Sequence, residues 1–124
     1  MMDQGKKAQW VAALRSGEYR QGRGHLKKNT DGENFYCCLG VLCEIALQDG
    51  LPLREHVGGN GATFFNGDDS FLPSEIAQWA KLPNDNPSTS LRTIENVEEN
   101  ATLSYLNDTG KSFLEIADII EREF

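Results

Sequence analysis

Residues 37–50 read Cys37-Cys38-Leu39-Gly40-Val41-Leu42-Cys43-Glu44-Ile45-Ala46-Leu47-Gln48-Asp49-Gly50. Leu39, Leu42, Cys43 and Ala46 recur at i, i+3, i+4 and i+7, which predicts a helix over about 38–49. Gly50, with Pro52 close behind, ends it. Gly40 weakens the first turn, so the backbone is closely approached there or the helix begins later.

Working outward, Thr30-Asp31-Gly32-Glu33 carries an Asp-Gly turn signal between plausible strand arms at 24–29 and 34–37. Ahead of it, 4–16 reads as a first helix, with Trp10, Val11 and Leu14 on one side and Gly17 as the residue that stops it. Beyond Pro52, Asn66-Gly67 lies between Thr63-Phe64-Phe65 and Ser70-Phe71-Leu72 and reads as a short hairpin. Pro73 suits the first position of a helix over 73–81 that buries Ile76 and Ala77. Residues 82–90 read as a loop, 91–99 match neither helical nor strand periodicity, and 101–106 reads as a helical turn. Ser112 with Glu115 three positions on is a capping-box signature, followed by Phe113, Ile116, Ala117 and Ile120 at helical spacing. The expected architecture is one α+β domain over 1–124, three main helices packed with short antiparallel hairpins.

The chain of 124 residues carries net charge −7. Residues 1–28 hold seven Lys/Arg and two Asp/Glu, whereas 29–124 hold five and seventeen. A protein that is basic overall is excluded, and no double-stranded nucleic acid is expected as a partner. The acidic residues are dispersed, which fits solubility better than mimicry of DNA. No apolar run approaches the roughly 18 residues of a membrane span, and no signal-peptide core follows the N-terminus, so a cytoplasmic location is expected.

Three cysteines within seven residues argue for a reducing compartment and against a disulfide framework. Together with His25 or His56 they could supply four zinc ligands. Cys38 and Cys43, however, would stand about 140° apart on a helix. Gly58-Gly59-Asn60-Gly61 matches no phosphate-binding fingerprint, and no cofactor is expected.

Two constellations could carry chemistry. The first is the basic, aromatic-laced segment Arg15, Tyr19, Arg20, Gln21, Arg23 and His25, continuing into Lys27 and Lys28, with Asn107 and Asp108 as further walls. Guanidinium groups bind phosphate bidentately, Tyr stacks on a base, and Gly22 and Gly24 let backbone N–H groups approach an anion. The plain alternative is that these cations complement the acidic remainder of the same molecule. The second is a nucleophilic thiol. Cys37 or Cys38 sits where a helix begins, His25 lies across the hairpin, and Asn107 or Asp108 could orient it. Asn107-Asp108-Thr109-Gly110 also reads simply as a turn. Trp10 and Trp79 read as core.

The blocks Ala13-Leu14-Arg15-Ser16-Gly17-x-Tyr19-x-Gln21-Gly22, Cys37-Cys38-Leu39-Gly40-Val41-Leu42-Cys43 and Leu106-Asn107-Asp108-x-Gly110-x-Ser112-Phe113-x-x-Ile116-Ala117-Asp118-x-Ile120-Glu121 occur in that order. In this the chain resembles a family of small uncharacterised proteins encoded by tailed phages and prophages. The resemblance runs from about residue 8 to 122, apart from 55–71 and 83–100. It implies a non-enzymatic accessory protein of the host cytoplasm, a host-takeover or defence-antagonist factor. Such a factor would bind a small anionic, nucleotide-like ligand or a host protein, with self-association also open. The alternative is a cysteine hydrolase or transferase using Cys37 or Cys38.

Overall fold

The computed structural model describes residues 1–124. The fold is α+β: α1 (Gln4–Arg15), β1 (Arg20–Gln21), β2 (Lys27–Thr30), β3 (Glu33–Tyr36), α2 (Cys38–Gln48), β4 (Glu55–Val57), β5 (Thr63–Phe65), α3 (Ser74–Ala80), β6 (Ser88–Arg92), β7 (Asn100–Thr102), α4 (Leu103–Asp108) and α5 (Phe113–Glu123).

Helix α2 lies at the centre. Cys38 through Cys43, Ile45 and Ala46 are all buried, so this helix is enclosed all round rather than along one stripe. Helices α1, α3 and α4 pack on it, and α5 packs on α1 and α4. The close approach foreseen at Gly40 is met by Leu26: a methyl group on Gly40 would collide with the Leu26 carbonyl oxygen. Trp10 is fully buried and its indole N–H donates to the Cys38 carbonyl at 2.9 Å, tying α1 to the first turn of α2.

The hairpin about Asp31-Gly32 forms as β2 and β3, antiparallel, with both turn residues at positive φ. Its first arm starts later than expected, at Lys27, although His25 still accepts from the Cys37 N–H at 3.3 Å. Unforeseen was β1, two residues that pair in parallel with β3 and complete a three-stranded sheet.

Other expectations need correction. The Asn66-Gly67 turn forms, but β5 pairs with β4 across the Gly-rich loop and not with 70–72. The chain leaves the turn after one bridge, Phe65 to Asp68, because the Asp69 carbonyl bonds the Leu26 N–H and the Leu72 N–H bonds the Asp85 carbonyl. Helix α3 starts at Ser74 with Pro73 as its N-cap, and Trp79 is half-buried with the Lys6 ammonium 4.9 Å from its ring centre. Residues 88–90, read as loop, belong to β6, which pairs with β7. The helical turn lies at 103–108 rather than 101–106. The capping box stands as read: Ser112 Oγ accepts from the Glu115 N–H at 3.2 Å, and Glu115 Oε1 accepts from the Ser112 N–H at 3.0 Å.

Candidate functional site

A polar interior region lies where the N-termini of α2 and α5 meet β1 and α4. Cys37, the N-cap of α2, makes no side-chain cap bond. Its place is taken by Asn107, whose Oδ1 accepts from the Cys38 N–H at 3.2 Å and from Gln21 Nε2 at 2.9 Å. Asn107 Nδ2 donates to the Gly22 carbonyl at 2.8 Å and to Asp108 Oδ1 at 3.0 Å. Gln21 in turn accepts from the Phe113 N–H, the first of α5, at 3.1 Å and donates to the Lys111 carbonyl at 2.8 Å. Two side-chain amides thus satisfy free helix-end donors on two helices. Asp108 accepts from the Gly24 N–H at 3.1 Å and holds the Gly22–Gly24 loop against α4.

Beside this clasp is a cleft of about 40 Å³ lined by Gly24, His25, Cys37, Phe71, Ser104 and Asp108, with Ser70 at its edge. His25, Cys37 and Asp108, three members of the nucleophile constellation, therefore line the same cleft. His25 Nδ1 is buried without a hydrogen bond and lies 3.4 Å from Asp69 Oδ2. Cys37 is 2% exposed, and burial pushes its thiol up to about 11 despite the Gly40 and Leu39 N–H groups that act to lower it. Cys38 is closed in completely; burial raises it far above the ordinary thiol range, and its Sγ faces the Leu103 carbonyl at 3.6 Å. No three His, Cys, Asp or Glu side chains gather to hold a metal ion.

The basic segment is dispersed. Arg15 pairs with Asp118 at 2.7 Å and Glu121 at 3.1 Å on α5, and those two carboxylates, Asp118 foremost, raise its pKa. Arg20 pairs with Glu33 at 3.4 Å, and Lys27 with Glu44 at 3.1 Å. Burial works against the Lys27 charge, but Glu44 outweighs it and leaves the ammonium above its ordinary value. Tyr19 packs edge-on against Tyr36, and its hydroxyl accepts from Gln48. Arg23 is exposed and makes no ion pair. Much of the positive N-terminal charge is therefore matched by carboxylates of the acidic body.

Sequence reasoning missed a second region, at the β6–β7 hairpin. A groove of about 440 Å³ opens there, with Leu91, Ile94, Tyr105 and Leu106 as its apolar lining and Arg92 and Lys111 among its polar residues. Ile94 is 80% and Val97 77% exposed, and Leu114, next to the groove residue Glu115, is 60% exposed. The Tyr105 hydroxyl accepts from the Ile94 N–H at 2.9 Å and donates to Glu95, pinning the loop to the groove wall. The signal was present in the sequence as aliphatic residues at 94 and 97 without any burial period.

No helix is long and apolar enough to cross a membrane. No curated protein matches the chain, and no solved structure matches it. A family model described as a domain of unknown function, DUF8296, matches residues 2–124. Spanning all but the first residue, that match makes the chain a member of the DUF8296 family.

Proposed function

We propose that this chain is a non-enzymatic binding protein, of phage or prophage origin and acting in the host cytoplasm, that works by docking on a host protein. The observation that carries the reading is the largest groove in the fold, lined by Leu91, Ile94, Tyr105 and Leu106, with Ile94 80% exposed on the same loop as the exposed Val97. Exposed aliphatic residues next to a concave apolar lining mark interaction surfaces more often than scattered surface positions do. The phage setting rests on the resemblance of the ordered sequence blocks. A small anionic ligand is the weaker branch, because Arg15, Arg20 and Lys27 already face carboxylates of the same chain.

A photo-crosslinking residue placed at Val97, with a control at the exposed Val57 on β4, tests the docking reading in bacterial lysate. The expected result is one adduct from position 97, competed by unlabelled protein and lost on Ile94→Ser. Equal labelling from both positions, or none, overturns it.

One observation favours a second reading, a thiol nucleophile at Cys37: His25 and Asp108 line the same cleft. Its raised pKa and near-complete burial weigh against attack from the closed state shown. Rapid alkylation of Cys37 in the native protein at neutral pH would promote this reading over docking.

A further inference from the structure

We infer that the segment seated in the β6–β7 groove is a basic stretch of a protein partner that inserts one apolar side chain; this rests on the docking reading above. The groove volume of about 440 Å³ lies within the range of sites that enclose small groups rather than whole helices. Leu91, Ile94, Tyr105 and Leu106 form the apolar part of its mixed lining, against which one apolar anchor can pack.

Charge selects the flanks. Residues 88–124 carry eight Asp/Glu against three Lys/Arg. On the loop beside the groove, Glu95, Glu98 and Glu99 have no cation within 4 Å. Of the two cations that line the groove, Lys111 pairs with Glu115 at 3.7 Å, whereas Arg92 bonds only the neutral Asn100 side chain and keeps its charge. Glu95, Glu98, Glu99 and Glu115 against Arg92 and Lys111 leave the groove and its loop net negative, which steers in a cationic segment and disfavours nucleic acid and anionic lipid. A second copy of this chain carries the same net charge of −7, so the approach of two copies is repelled overall. Three cations of its own basic segment, Arg15, Arg20 and Lys27, are already matched internally.

The test uses three fluorescent probe peptides: Lys/Arg flanks around one Leu, Glu flanks around the same Leu, and Lys/Arg flanks around Ser. Anisotropy titrations of the full chain are run at about 50 and about 300 mM salt. The Lys/Arg–Leu probe is expected to bind roughly tenfold tighter than either other probe and to weaken several-fold at the higher salt. Glu98→Gln with Glu99→Gln, both exposed, should weaken it several-fold without moving the melting temperature, and Val97→Ser should do likewise.

Equal or tighter binding of the Glu-flanked probe, or of the Ser probe, overturns the inference. Silence of all three probes also overturns it. In each case a specific adduct from position 97 leaves the docking reading standing, and its absence removes both. A change in solution mass that tracks Ile94 and Val97 would assign the groove to a second copy and equally sink the basic-segment inference.

Discussion

The carboxamides of Gln21 and Asn107, 86 positions apart in sequence, meet at 2.9 Å and between them serve the first backbone N–H of α5 and of α2. Asn107 is 1% exposed, so its carboxamide depends on these partners. Asn107→Ala strips the Cys38 N–H, the Gly22 carbonyl and the Gln21 amide of a partner at once. A loss of about 3 kcal/mol is expected, at roughly 1–3 kcal/mol for an unsatisfied buried group. Urea midpoints measure it; a loss below about 1 kcal/mol would show that these amides do not hold the two helix starts.

Gly40 gives the sharpest packing prediction. The carbonyl of Leu26 occupies the space a side chain would need, and backbone yields less readily than a rotamer. Gly40→Ala is expected to cost about 3 kcal/mol or to abolish soluble expression. Gly59→Ala, where nothing lies within 4 Å, should stay within about 0.5 kcal/mol of the parent by the same denaturation assay.

Helix starts set the acid response. The Lys6 backbone N–H holds the Asp3 carboxyl below its ordinary value, and the Ser112 N–H does the same for Glu115. A carboxyl lowered in the folded state contributes stability above its unfolded pKa of about 4, and that contribution is lost as pH falls through the folded value. Melting temperature should therefore hold from pH 7 to about pH 5 and fall below about pH 4. Asp3→Asn with Glu115→Gln, which keeps both caps in uncharged form, should flatten that fall. Ser112→Ala, by contrast, should cost about 1 kcal/mol at neutral pH.

For the thiols, a Cys37 pushed up to about 11 is almost wholly protonated at neutral pH. Iodoacetamide should label Cys37, Cys38 and Cys43 more slowly in the native chain than in urea, by a factor set by global opening. Mass spectrometry resolves the three sites, and faster native labelling at Cys37 alone would contradict the closed cleft.

The helices were legible because their causes are local. Trp10, Val11 and Leu14, the apolar run of α2, and Ser112 with Glu115 each declare a helix within a few residues. The strands depended on distant partners: β1 is two residues long, β5 chose β4 over its nearer neighbour, and β6 needs β7 across an irregular hairpin. Gln21, Asn107 and Asp108, expected to line a ligand site, come together in the fold, but their partners on α2 and α5 lie too far along the chain for a pattern to reveal. The acids that face the basic segment, Glu33, Glu44, Asp118 and Glu121, are likewise scattered over the next hundred residues, beyond the reach of a local pattern. Ile94 and Val97 followed no period because neither is buried, and periodicity reports burial.

The pairing of α1 with α5 has a bearing on how the protein is made. Helix α1 leaves the ribosome well before α5, but Trp10, Val11 and Leu14 share a core with Phe113, Ile116 and Ile120, and Arg15 waits for Asp118 and Glu121. At about 5–20 residues per second, roughly a hundred codons separate the two, so the nascent segment stays cationic and sticky for about 5–20 seconds. Closure of the domain is thus a late event of translation, and a chain stalled before α5 should be held by chaperones or degraded rather than fold in part.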